Sequence, residues 1–220
     1  MTDQPGAPLA DTSDMLAVHA GFREAFATAP ARIGGIRKGD TERTELIAAY
    51  YRHILAFLVV HHESEDEVLW PLLAERLPEV EAARVREIAS QHEGLHGALD
   101  SASEALAAWT AAPGDGTAVA LVDALSSVET PLLSHLGQEE AEVLPLAAQV
   151  ITAPEWGMMP QHGMAHLPPD SIFLALGLIR ENLDQEHRDE MLAHMPPPAV
   201  EFWTTTGEAM FVDFMARVRS

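Results

Sequence analysis

The sequence predicts an all-α fold, an up-down-up-down bundle of four long helices followed by a C-terminal helical extension. Three observations carry that expectation. Apolar residues recur at helical spacing through most of the first 150 positions, the breaks between these stretches are short and rich in proline and glycine, and no credible strand-like alternation appears. A chain of 220 residues can also bury a core without disulfides.

Residues 1–10 read as a flexible tail. Asp11-Thr12-Ser13-Asp14 then offers a cluster of N-cap residues ahead of Leu16, His19, Phe22 and Phe26 at helical spacing, which defines the first helix. Pro30 and the glycines at 34, 35 and 39 make a loop, and Thr41 is placed to cap a second helix reaching at least to Trp70. Pro78 separates it from a third, over about residues 79–109, whose core stripe is Val85, Ile88, His92, Leu95, Leu99 and Leu106. Pro113-Gly114-Asp115-Gly116 is a turn, and the fourth helix follows over about residues 117–150, with Pro131 placed to kink or divide it. The bundle domain is therefore expected over residues 11–151. Residues 152–220 carry seven further prolines between shorter helical runs. Their large apolar groups, Phe173, Phe202, Trp203, Phe211 and Phe214, are too extensive to leave in water, so the segment is expected to pack on the bundle.

The formal charge of −21, from 13 basic and 34 acidic residues, repels phosphate backbones and anionic lipid, which argues against nucleic acid and membrane partners and favours cations. With no cysteine, thiolate catalysis, iron–sulfur clusters and Cys-type zinc sites are excluded, so any metal must be held by nitrogen and oxygen. The N-terminus lacks the basic and apolar regions of a signal peptide, and the apolar run 172–179 is too short to span a bilayer; a cytoplasmic location is expected.

The chemistry lies in an internal repeat. HHESEDEVLWP, residues 61–71, aligns with HLGQEEAEVLP, residues 135–145, with His61 on His135, Glu65 on Glu139, Asp66 on Glu140 and Pro71 on Pro145. A spacing of four turns only about 40° around a helix, so His61 with Glu65, and His135 with Glu139, each present an imidazole and a carboxylate on one face. The third helix adds His92 and His96 at the same spacing, and the first adds His19 on its apolar stripe. Left unpaired in a core, such groups cost roughly 1–3 kcal/mol each, a penalty that metal binding removes. Two octahedral ions offer twelve positions; five imidazoles and two bridging carboxylates fill nine, a bridging oxygen two more, and one stays open. His62 with Asp66 forms a second i, i+4 pair, and Glu140 is an alternate to Glu139; the repeat favours His61 and Glu139.

The set His19, His61-x3-Glu65, His92-x3-His96 and His135 with Glu139/Glu140, preceded by Asp14-x-Leu16, resembles the hemerythrin-like, or HHE cation-binding, family over about residues 11–150. The resemblance implies a four-helix bundle holding two non-haem iron ions with a bridging oxo or hydroxo group, with dioxygen, nitric oxide or peroxide as ligand. A ferritin-like bundle would need Glu-x-x-His on two helices, and Glu93-x-x-His96 alone fits. Oxygen storage, delivery or sensing is the expected function. The alternatives are an oxidoreductase acting on peroxide, nitric oxide or ferrous iron, or an iron store or iron-level sensor.

Outside this set the plainer readings prevail. Glu63, Glu67 and Glu142 read as solvated flanks, Tyr50, Tyr51 and Trp70 as packing, and Arg23 as an ion-pair partner for nearby acids. Gly163 and the surrounding prolines argue against a second metal site at His162 and His166. The extension is expected to cover one end of the bundle, to meet a second copy or signalling partner, or to gate the open position.

Overall fold

The computed structural model describes residues 6–220; among them every regular element is helical and no strand forms. Helix α1 spans Ser13–Ala27, α2 Ala29–Gly34, α3 Thr41–Ser64, α4 Trp70–Arg76, α5 Glu79–Ala89, α6 Gln91–Ala111, α7 Asp115–Gln138 and α8 Leu144–Val150. The long helices α1, α3, α6 and α7 close a ring of contacts: α1 against α3 and α7, α3 against α6, and α6 against α7. Phe22, Phe26, Ile54, Leu58, Leu99, Leu106, Leu125 and Val128 fill the space between them.

Local chemistry explains where the helices start and break. Asp40 caps α3 in place of Thr41, its side chain accepting from the Arg43 N–H at 3.0 Å. The expected third helix is two, because at Ser90 the hydroxyl donates to the Glu87 carbonyl at 2.7 Å and competes with the helical ladder. By contrast, α7 runs through Pro131, held by the fully buried Val128 and Leu132 on either side.

Both prolines of the repeat follow a π-helical turn, Glu65–Leu69 ahead of Pro71 and Glu139–Val143 ahead of Pro145. Proline has no N–H to donate and its ring presses on the carbonyl four residues back. A π-turn answers both problems by widening the ladder, so that the Trp70 N–H bonds Glu65 O and the Leu144 N–H bonds Glu139 O, each five residues earlier.

The remaining chain forms α9 (Ala153–Trp156), α10 (Met158–His166), α11 (Ile172–Asn182), α12 (Gln185–His194), α13 (Pro197–Phe202) and α14 (Glu208–Arg219), with a third π-turn at Trp203–Gly207. Helix α11 packs on α1 and α3, α14 on α11 and α3, and α10 on α3 and the first π-turn. Phe173, Leu174, Leu176 and Leu178 of α11 belong to the same core as the four long helices. At about 1.5–3 kcal/mol per buried side chain, these four alone approach the whole net stability of a typical domain. Near the N-terminus, the Ala10 N–H bonds Ile151 O at 2.9 Å and the Ala153 N–H bonds Pro8 O at 2.8 Å, so residues 8–10 of the expected tail are tied to the start of the extension. Residues 1–5 of that tail lie outside the described residues.

Candidate metal centre

On α3, His61 and His62 point about 100° apart, and Glu65, four residues after one and three after the other, falls between them at about 40°. One carboxylate can therefore serve both histidines. Its Oε1 lies 3.2 Å from His61 Nε2, and its Oε2 lies 3.3 Å from His92 Nε2 on α6. Glu139, the repeat-related carboxylate at the end of α7, places Oε2 3.4 Å from His19 Nε2 and 3.7 Å from His135 Nε2.

Two ligand groups result, each with its donor atoms within 4.8 Å of one another: His62, Glu65, His92 and His135, and His19, His61, Glu65 and Glu139. Glu65 belongs to both. In the first group His62 stacks on His92 with ring centroids 4.1 Å apart and meets His135 edge-on, while His92 Nε2 and His135 Nε2 converge to 3.1 Å. All seven side chains are buried, His61 being the most accessible at 8 %.

The polar atoms at the centre fit a cation. His19 Nε2, His61 Nε2, both nitrogens of His62 and all four carboxylate oxygens of Glu65 and Glu139 are buried without a hydrogen-bond partner. Buried polar groups are ordinarily paired, and eight orphans converging on one place are the signature of a site whose partner is an ion. Burial, then neighbouring histidines, holds His61 and His62 well below the usual imidazole range and His135 down to about 3, which keeps them in the neutral form that binds metal. Burial, then Glu65, lifts Glu139 well above the carboxylate range, and burial lifts Glu65; two like charges this close cannot both persist without a cation.

A second layer of side chains orients the ligands. His92 Nδ1 lies 2.9 Å from Asp66 Oδ1, His19 Nδ1 lies 2.9 Å from Glu140 Oε1, and His135 Nδ1 lies 3.3 Å from Gln91 Oε1. Asp66 and Glu140 are the repeat-related acids, so each device supports a histidine from a different helix, fixing which ring nitrogen faces the centre. Burial opposes the charged form of Glu140, but His19 and the Arg23 guanidinium, at 2.6 and 3.0 Å, outweigh it and bring its carboxyl down to about 2. At His92, burial is likewise outweighed by Asp66 and Glu65, and the imidazole rises to about 9.

Of the residues expected from sequence, the structure brings together His19, His61, Glu65, His92, His135 and Glu139. Glu140 stands beside the group, on the far nitrogen of His19. His96 is exposed and belongs to neither group. On α6 the buried stripe is His92, Leu95, Leu99, Ala102, Leu106 and Trp109, and His96 lies about 90° from its mean direction. His62, expected beside the site or at the surface, is fully buried and stands with Glu65, His92 and His135 in the first group. The signal for it was the i, i+3 relation of His62 to Glu65, alongside the i, i+4 relation of His61. His162 has its ring nitrogens against Ser64 and Glu67 and belongs to no candidate metal group among the described residues.

Comparison with curated proteins and with solved structures returns no match. Against models of known families, the chain matches the hemerythrin HHE cation binding domain over residues 11–147, a span that contains both ligand groups and all four long helices. With more than half of its length covered, the chain belongs to the hemerythrin HHE cation-binding family.

Proposed function

We propose that the chain is a non-haem di-iron protein that takes dioxygen, or a related small ligand such as nitric oxide or peroxide, for oxygen storage, delivery or sensing. The observation that carries this reading is the unequal division of histidines about the shared Glu65: His62, His92 and His135 on one side, His19 and His61 with Glu139 on the other. Glu139 Oε2 also lies 3.7 Å from His135 Nε2, so both carboxylates could serve both ions, and the side with two imidazoles would then have one ligand fewer. The open position then belongs to the His19/His61 side. Bound iron would supply a redox-active place for a small ligand there.

The protein's own part is to shape and dry that side. The Phe22 ring lies 5.3 Å from His61 and 5.0 Å from Phe57, so the group is walled by apolar surface that excludes bulk water. His61 has the greatest solvent exposure of the seven. Glu140 with Arg23 fixes His19 in one orientation.

The test is the optical spectrum of anaerobically reduced protein, loaded and assayed for iron, before air, after air and after oxygen is removed. Two irons per chain with charge-transfer bands that come and go with oxygen support a carrier or sensor. Bands that form and stay would instead favour oxidation chemistry at the same centre, and a chain that holds no iron would overturn the proposal.

A further inference from the structure

We infer that His162, on α10 of the C-terminal extension, is a positioning residue of the metal centre, clamping the π-turn that carries Glu65 as Arg84 clamps the one that carries Glu139. The inference rests on the metal-binding reading above and adds the extension to the machinery of the site.

Neither oxygen of Glu65 has a hydrogen-bond partner; its neighbours are the candidate ligands His61 and His92, so its aim depends on the backbone turn on which it stands. That turn is π-helical, with longer and less regular bonding than an α-helix, and a small change in it re-aims the side chain. His162 reaches across it. Its Nδ1 lies 3.0 Å from Ser64 Oγ, the residue just before Glu65, and its Nε2 lies 3.1 Å from Glu67 Oε2, two residues after. Ser64 is buried and its hydroxyl also donates to Val60 O at 2.7 Å, which ties the clamp into α3.

The second turn is held in the same way by a side chain of a different helix. Arg84, on α5, donates from Nε and Nη2 to both oxygens of Glu142 at 2.6 and 2.7 Å, and from Nη2 to Gln138 Oε1 at 3.5 Å. Gln138 just precedes Glu139 and occupies the place of Ser64 in the repeat. Gln138 Oε1 also accepts from Gln91 Nε2 at 2.9 Å, and Gln91 Oε1 faces His135. Each of the two carboxylates is thus flanked by two residues held by one side chain from outside the four long helices. For Glu139 that side chain lies within the family-matched span; for Glu65 it comes from beyond residue 147. The extension supplies what the matched span lacks.

The full-length chain, His162→Ala, His162→Gln and the control Gln161→Ala, an exposed neighbour on the same helix, are loaded with cobalt(II). Ions per chain are counted, release to excess chelator is timed, and hydrogen exchange of residues 64–69 is measured in the metal-free proteins. The expectation is two ions per chain throughout, with His162→Ala releasing them about tenfold faster, the lower end for loss of an outer support. Exchange at residues 64–69 rises in the same variant. His162→Gln, which can still reach Glu67, falls between, and Gln161→Ala matches the wild type. Equal release and exchange in His162→Ala and the wild type, at full metal content, overturn this inference alone. A wild-type chain that binds no metal overturns the metal reading and this inference with it. Should His162→Ala not fold, His162→Gln against Gln161→Ala decides in the same way.

Discussion

Replacing His62 and His96 one at a time separates the ligand that tertiary structure brings to the centre from the one that spacing suggests. In the metal-free chain, His62→Ala removes two buried nitrogens without partners, relieving roughly 1–3 kcal/mol each, and leaves a cavity costing about 2–4 kcal/mol. At mid-range these are about 4 and 3 kcal/mol, so metal-free stability should change by about 1 kcal/mol. With metal the balance is different. Losing even an outer support costs about 10–100-fold in affinity, so a lost ligand should cost at least about a hundredfold, or about 2.7 kcal/mol of metal-linked stability. In a chain this long that is a fall in Tm of about 5–11 °C, seen only in the loaded protein. His96→Ala, at an exposed position in neither group, should stay within about 0.5 kcal/mol of wild type in both states. The assay is ions per chain after passage over a chelating resin, with melting curves in each state. If His96→Ala loses metal, or His62→Ala keeps two ions at wild-type affinity, the division of histidines described above is wrong.

Asp66→Ala and Glu140→Ala should each weaken metal binding about 10–100-fold in a spectroscopic competition titration while leaving helical content unchanged, because each removes the acceptor that orients one ligand histidine. Gly177→Ala should lower stability by about 1–3 kcal/mol in urea titration, since a Cβ there would stand 2.1 Å from Phe211 Cδ2, where α11 meets α14. Arg76, 2.7 Å from Glu155 Oε2, holds the Glu155 carboxyl down to about 2. Because that value lies below the unfolded one near 4.3, the contribution is fully present above about pH 4.3 and is lost as pH falls from there toward 2. The gap in urea midpoint between wild type and Glu155→Gln should therefore be constant above about pH 5 and close on acidification.

The helical fold was legible because its signals are local. The apolar period, the caps and the Pro/Gly breaks are properties of neighbouring residues, and so is the histidine–carboxylate repeat that places Glu65 and Glu139 on inward faces. Six of the seven clustered side chains are recognisable in this way. The seventh was hidden because two consecutive histidines each make a legal i, i+4 pair, and choosing one discards the other. In space the shared carboxylate falls between them, and each histidine stands in one of the two groups.

His96 fails for the converse reason. Its spacing from His92 is right, but the stripe that α6 turns toward the bundle is set by Leu95, Leu99 and Leu106 packing on other helices, and that stripe leaves His96 in water. The sequence by itself determined which elements form and which carry metal-binding chemistry, since helix geometry relates residues three and four apart without reference to the rest of the chain. Only the tertiary structure decided which histidines converge, which acids stand behind them, and that His162 of the extension reaches the turn bearing Glu65, because contacts between residues on separate helices, here 26 to 121 positions apart, depend on how those helices pack.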